Sequence, residues 1–590
     1  MRKRLIVLAI AVLMLVVTGC GGSSDKKSSG GGGGKAATTV TAGAKKGGHL
    51  DVLSAGDIDG LDPGYWYYQY DYMAFAEPTQ RELYSWEADK TTPTADIADG
   101  APQVSDGGKT ITVKIRSGVK YSPGPVKRTV TAADFKYALE RCFLPQVGNG
   151  YVNAYLGDIS GVQAYKDGKA KEITGITAPD DNTLVIKFDK PSGSASQALA
   201  LPCTVPVPKE YAEQYDKGKQ STYGQHQVFT GPYMIKGAES GSVKAGYKPG
   251  KRIDLVRNPN WGGEKAGDFR PAYLDSISFI GGNDLSLASR KILQGQSMIS
   301  GDFAAPPTAI MKRAYQSQRD QVQIIPSGGN RYIGLNAVIP PFDDANVRKA
   351  VVAATNRTAL IQTRGGPLLG IPATHVIPPG LGGFDEAGGE KGDPANDFYA
   401  NPAGDMAVAA KYMKAAGFSS GKYKGPEILM VGDDQPPASK TGEAFLETLK
   451  NLGFKVRYRQ VPHDVMYSKF CQVPKAKVNV CPNVGWGKDF FDSESMLFPT
   501  FYGKNIVPSG NVNYPQLNDP KINKMMEDAR ALTDQAARDK AWADVDKAIT
   551  AGAYVVMWIW DNDVNIRSKN VNGVQNKFNA SWDVTYTSLK

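Results

Sequence analysis

Along the chain, apolar residues recur with two different periods. TITVKI (110–115) and TLVIKF (183–188) alternate apolar and polar side chains, the period of a strand with one face on a core. TAADFKYALER (131–141), NVRKAVVAAT (346–355) and a stretch from Pro520 to about Thr550, stopped by Gly552, carry helical spacing instead. The first of these offers Thr131 as N-cap and an Asp in its first turn, where unpaired N–H groups favour an acceptor and a negative charge. Interleaved strands and helices from Gly48 onward predict α/β layering. A length of 590 residues exceeds what one core normally supports, so two or three domains are expected. No internal repeat of solenoid length is present, which excludes repeat architectures.

One apolar run stands apart. Leu5 to Val17 follows Arg2, Lys3 and Arg4 and precedes Thr18-Gly19-Cys20. At about 1.5 Å per residue this run falls short of a hydrocarbon core of about 30 Å, so it predicts a secretion signal over residues 1–19. Val17-Thr18-Gly19-Cys20 resembles the lipobox of bacterial lipoproteins, in which Cys20 carries the lipid and becomes the new N-terminus. Residues 20–47 are rich in Gly and Ser and lack apolar residues that would order them, so they read as a tether with a mean reach of about 30 Å. The expected location is the extracytoplasmic face of the cytoplasmic membrane.

Charge and cysteine usage narrow the class further. Of a net +10, seven units lie ahead of residue 47, and the body keeps only +3 with no basic stripe, so nucleic acid is not an expected partner. With Cys20 assigned to lipid, an exported chain with four further cysteines suggests disulfides. Cys471 and Cys481 flank a short loop that a bridge would close, leaving Cys142 and Cys203 as a second pair, although three connectivities are open in principle. No C-x-x-C occurs, and His49, His226, His375 and His463 are scattered, so neither metal nor cofactor is expected. SerGlyValLys (117–120) and LysThrGly (440–442) imitate pieces of penicillin-recognising enzymes, but the intervening Ser-Asp-Asn is missing. GlyGlyGlyGlyGlyLys (30–35) lacks the Ser/Thr and the preceding strand of a phosphate loop. The chain does not read as an enzyme.

A family resemblance covers nearly the whole body. Residues 101–141 (APQVSDGGKTITVKIRSGVKYSPGPVKRTVTAADFKYALER) resemble the signature of extracellular solute-binding proteins of bacterial ABC importers, in the family that includes oligopeptide- and dipeptide-binding proteins. GlyLeuAspProGly (60–64), AlaProAspAspAsnThrLeuValIle (178–186), ThrGlyProTyr (230–233), ValArgAsnProAsnTrp (256–261), LeuAsnAlaValIleProProPheAspAspAlaAsnValArgLysAlaVal (335–351) and GlyTrpGlyLysAsp (485–489) follow in the family's order.

The resemblance implies a two-lobed α/β fold, closing about a hinge, with an extra domain and a discontinuous first lobe. That lobe would comprise residues 48–85, 208–325 and 546–590, with 553–560 returning to it as a strand; 86–207 would be the extra domain and 326–545 the second lobe. The implied partners are a short peptide, or a sugar or other small solute, and the permease subunits of an importer, while presenting a ligand to a surface sensor would use the same fold; the protein is expected to act as a monomer. In peptide-binding members a Trp-x-x-Asp element pairs its Asp with the ligand's α-ammonium, and Trp486 and Asp489 match it here. This sequence departs from the pattern in placing Lys488 beside that Asp and Phe491-Asp492-Ser493-Glu494 after it, where an Asn-Glu-Pro run is familiar; Asp492 reads as a surface or capping residue. The aromatic cluster at 65–72 lies where the family's first lobe approaches the cleft, so the resemblance makes Tyr65, Trp66 and Tyr68 candidate ligand contacts, with partial burial in the core as the alternative.

Overall fold

The structure is a computed structural model that describes residues 43–590 apart from Asp57, Asp59, Tyr68, Asp89, Ser297, residues 302–304, Lys577 and residues 579–580. The expected signal, most of the expected tether and Cys20 therefore lie outside the described residues. What is described is α/β with mixed sheets, gathered around two large apolar cores.

The first lobe is built on His49–Leu53, which runs parallel to both Ser276–Ile280 and Met298–Ser300. Arg252–Arg257 adds antiparallel to Ser276–Ile280, and Tyr233–Ile235 closes the far side. Leu50 and Val52 are among the residues that seal this sheet to its core. An inserted four-stranded sheet carries the two alternating segments as neighbours, with Thr110 opposite Lys187 and Lys114 opposite Thr183. The helix Ala132–Cys142 packs on it and begins as expected: the Thr131 N–H donates to Asp134 Oδ2 at 2.9 Å, half of a capping box.

The second lobe holds a six-stranded sheet in the order Gly370–Ile371, Val555–Ile566, Val322–Leu335, Val480–Gly487, Ile428–Asp433 and Val456–Val461. Two of these strands also join the lobes. Val322–Leu335 and Val555–Ile566 pair antiparallel from Val322/Ile566 to Gly334/Val555, with a break in register between Pro326 and Asn330. On one side of the break, Val322, Val564 and Ile566 pack with Leu53, Ile292 and Met311. On the other, Tyr332, Ile333 and the residues from Val555 to Trp560 lie in the second core. Gly328, at φ +71°, sits within the break, a conformation that favours glycine.

This pairing corrects the placement of residues 553–560. They do not return to the first lobe but form an inner strand of the second, because VVMWIW is apolar on both faces and needs cover on both. The hairpin of Val571–Asn576 and Ser581–Leu589 returns instead: Val571, Trp582 and Val584 enter the first core, and the Ala272 N–H donates to Thr585 O at 2.8 Å.

Two further expectations change. The stretch from Pro520 to Thr550 is two helices, Pro520–Ala531 and Gln535–Ala551, because Asp534 caps the second by accepting from the Ala537 N–H at 2.8 Å. Cys471 and Cys481 are joined, with an S–S distance of 2.11 Å, whereas Cys142 and Cys203 are buried free thiols, so the second bridge is not formed.

Candidate functional site

The Val480–Gly487 strand delivers the Trp486–Asp489 element to the seam between the lobes. Its last contact with the crossover strand is the Lys488 N–H donating to Gly328 O at 3.1 Å. Beyond it, successive side chains are claimed by different parts of the molecule.

Asp489 is buried, and the Tyr155 hydroxyl donates to its Oδ2 from the inserted domain, 334 residues away in sequence. Phe490 packs edge-on against the same Tyr155 ring at 4.8 Å. Burial pushes the Asp489 carboxyl up to about 7, against the opposing hydrogen bonds from Tyr155 and Trp486 and the positive charge of Lys488. A carboxylate held this way gains from an incoming cation.

Lys488 turns elsewhere. Its ammonium donates to Ser327 O at 2.6 Å and to Phe578 O at 2.5 Å, and lies 4.9 Å from the centre of the Phe491 ring. Burial brings its pKa down to about 7, with Asp563 and Asp489 opposing. One side chain thus ties the second lobe to a crossover strand and to the C-terminal hairpin. Phe491 follows it, 5.5 Å from Trp86, which stacks on Phe578 at 4.2 Å.

Further contacts close the seam. Ser194 donates to Glu494 Oε2 at 2.7 Å, and Arg530 bridges Glu494 Oε1 at 2.8 Å and Asp158 Oδ2 at 3.0 Å. Asp492 is not at the surface: it is fully buried, accepts from Arg538 Nε at 2.8 Å and caps the Glu494 N–H at 3.0 Å. Trp486 is half-buried, with its indole N–H donating to Ser495 O at 2.8 Å.

The aromatic candidates separate. Trp66 is a core residue, packed edge-on against Phe75 at 5.7 Å with its N–H donating to Gly60 O at 2.7 Å, so it has no face left for a ligand. Tyr65 is 39% exposed, with its ring beside Gly60 and Gly148. Tyr68 lies outside the described residues.

Sequence reasoning missed Tyr155 and a cluster of Arg331, Asp561 and Asp563 on the crossover strands with Arg364 from the end of the helix Arg357–Arg364. Arg331 Nε lies 3.1 Å from Asp561 Oδ2, and Arg364 Nε 3.1 Å from Asp561 Oδ1. Burial, reinforced by the neighbouring Asp561, pushes Asp563 up to about 7. The available signal was Asp561-Asn562-Asp563 directly after the apolar run VVMWIW, where charge inside a strand needs a reason.

Two α/β lobes joined by paired crossover strands, with ionisable groups gathered where they meet, define a solute-binding architecture. Residues 92–508 match the model of bacterial extracellular solute-binding proteins, family 5 (middle region), and the chain belongs to that family. It is 26% identical over 507 residues to Di/tripeptide-binding protein 1 of Pseudomonas aeruginosa, spanning 84% of this chain and 85% of that protein. It is 25% identical over 483 residues to the dipeptide-binding protein DppE of Bacillus subtilis, spanning 80% and 79%. Among solved structures, "Clavulanic acid biosynthesis oligopeptide binding protein 2" superposes with a TM-score of 0.81 at 25% identity, covering 92% of this chain and 96% of that one. The protein is therefore an extracytoplasmic solute-binding protein rather than an enzyme. Among the described residues no helix is long and apolar enough to cross a membrane.

Proposed function

We propose that the protein captures short peptides between its lobes, anchors the α-ammonium at Asp489, and hands the cargo to the permease of an ABC importer. The observation that carries this reading is the buried carboxylate of Asp489 at the seam, met by a neutral donor from the opposite domain. A ligand ammonium brings the missing charge and three N–H donors. The relatives named as di/tripeptide- and dipeptide-binding proteins support the ligand class. Closure over the ligand strengthens each hydrogen bond and shapes a surface that a permease can distinguish from the open form.

The anchor belongs to the same proposal. Cys20, within Val17-Thr18-Gly19-Cys20, carries the lipid, and residues 20–47 let the body range from the membrane face as a monomer. In domain terms, residues 48–85 and 208–325 with the C-terminal hairpin make the first lobe, 86–207 the inserted domain and 326–545 with the 555–560 strand the second lobe. Native mass spectrometry of gently purified protein, followed by denaturation and sequencing of what is released, tests the ligand class. A set of short peptides is the expected result; a single non-peptide mass overturns the peptide reading. Cys20→Ala is expected to move the protein out of the membrane fraction, and retention there overturns the anchor.

A further inference from the structure

The face where the tether reaches the body treats its lysines differently from the second lobe. On the second lobe, exposed lysines are matched: Lys411 to Asp397, Lys440 to Glu443, Lys450 to Glu447 and Lys540 to Asp544, all at 2.8–2.9 Å. Such surface pairs add little stability, but they leave no net charge to attract a partner.

At the entry of the tether the cations stand alone. Lys45, Lys46 and Lys569 are exposed, and among the described residues none of them is in an ion pair. Arg567 and Arg319 turn their guanidinium groups to the backbone carbonyls of Asp320 and Val322 rather than to a carboxylate. The acids on the same segments are Asp51, Asp275 and Asp320. Asp51 faces His49 at 3.2 Å, and Asp275 accepts from the Gly48 N–H at 2.9 Å.

Short contacts make one surface of these residues. The Gly47 N–H donates to Tyr273 O at 2.8 Å, and Gly48 lies so near the C-terminal hairpin that a Cβ there would meet Leu589 Cδ1 at 2.6 Å. Next along, the Lys590 N–H donates to Asn570 O at 3.0 Å, the Asn570 side chain donates to Gly295 O at 2.6 Å, and the Lys569 stem lies over Gly295. The Arg567 N–H donates to Gln321 O at 2.9 Å, close to Arg319. Tyr315, 37% exposed, carries the Arg319 guanidinium 4.7 Å above the centre of its ring.

Unmatched ammonium groups on long stems, beside an exposed ring that is apolar with a polar tip, suit a layer of negative headgroups over an apolar interior. Position selects the same partner. The cluster surrounds the point at which residues 20–47 reach the body, and the anchor reading puts the far end of that segment in a bilayer.

We propose that this basic face docks on the anionic headgroups of the membrane and holds the anchored body with its first lobe toward the bilayer. For the choice of occupant this rests on the anchor reading of Cys20. The contact is electrostatic and screened by salt, too weak to keep a chain without lipid in a washed membrane fraction. Its effect is to orient a body that the tether alone lets range.

The test is flotation of the Cys20→Ala protein, to which no lipid is attached, with vesicles of phosphatidylglycerol and phosphatidylcholine in equal parts or of phosphatidylcholine alone. At low salt it is expected to bind the mixed vesicles and not the neutral ones, and to be released at about 0.5 M NaCl. Lys45→Gln, Lys46→Gln and Lys569→Gln together are expected to weaken binding at least tenfold, at about fivefold per lysine. Lys440→Gln, Lys450→Gln and Lys540→Gln, which remove the same charge from matched positions, are expected to leave it within about twofold. Lys45→Gln alone, ahead of the first strand, gives the same answer at about fivefold without burdening the fold. No binding to the mixed vesicles overturns the docking face, and so does equal binding to the neutral ones. Weakening by the first set no greater than by the second overturns it as well. None of these results bears on the anchor, which is read from where the wild-type and Cys20→Ala proteins fractionate in cells.

Discussion

The molecule buries charge in two places and treats it in opposite ways. In the first lobe, Arg81 and Arg270 sit among Asp96, Asp268 and Glu77, all with side chains at most 5% exposed. Each guanidinium there is bonded on all of its nitrogens: Arg270 donates to Asp268, to Glu77, to the carbonyls of Glu77 and Gln80, and to Asp96. Arg81 donates to Asp96 Oδ1 and to the carbonyls of Asp96 and Ala266. Although burial alone would raise it, the charges of Arg270 and Arg81 hold Asp268 down at about 2. At the seam, Asp489 is pushed up and Arg331 and Arg364 share one misaligned carboxylate. A saturated network fixes a fold; an unsaturated one is held ready for a partner.

The largest expected effect is on the saturated side. Arg270→Met strands Glu77 and leaves Arg81 as the one cation shared by Asp96 and Asp268, and the expected loss is about 3–5 kcal/mol of unfolding free energy, measured by urea titration. A loss below about 1 kcal/mol would erase the distinction between the two sites. Asp489→Asn should do the reverse. It weakens binding of an amine-bearing ligand by about 1.5–3 kcal/mol, while the unliganded protein at pH 8 keeps or gains stability, because the fold disfavours that carboxylate. A destabilised Asp489→Asn would make Asp489 a structural residue.

These first two predictions rest on residues of unequal legibility. The strands at 110–114 and 183–187 and the helix cap at Thr131 are local, and period and capping chemistry give them directly. Asp489 was legible through a motif. Tyr155 was not, since its role depends on an approach across 334 residues, and neither was the arginine pair, whose partner lies on a strand some 200 residues downstream. Trp66 shows the opposite error: an aromatic cluster suggests a platform, but one ring fits the core beside Phe75 and is lost to the cleft. The run at 553–560 was readable as a strand, yet its lobe depended on which sheet covers both of its faces.

Tyr155→Phe is a smaller probe of the seam. It removes the neutral donor to Asp489, and about 1 kcal/mol of ligand affinity is expected to go with it if the hydroxyl supports the charged carboxylate. Unchanged affinity would confine Tyr155 to packing on Phe490.

The comparison also predicts opposite pH dependences. Asp489, raised from its ordinary value near 4, lets the ligand-free fold bind more protons than the unfolded chain does, so its contribution to stability is complete below about pH 4 and is lost as pH rises through 7. Asp268, depressed to about 2, contributes above about pH 4 and loses that contribution as pH falls through 2. In urea titrations across pH, the wild-type advantage over Asp489→Asn should shrink between pH 4 and 7. The advantage over Asp268→Asn should grow from pH 2 to 4. Parallel trends in the two variants would collapse the comparison. Because a ligand ammonium requires ionised Asp489, binding below pH 7 should release a proton, detectable by calorimetry in buffers of different ionisation enthalpy.

The most direct measurement compares a free tripeptide with its N-acetylated form on the wild-type protein and on Asp489→Asn, by isothermal calorimetry at pH 8. An anchor at Asp489 predicts tighter binding of the free amine by about 10- to 100-fold on the wild type, in line with a charge-assisted hydrogen bond, and little or no preference in the variant. Equal affinity of the wild type for both forms would contradict it.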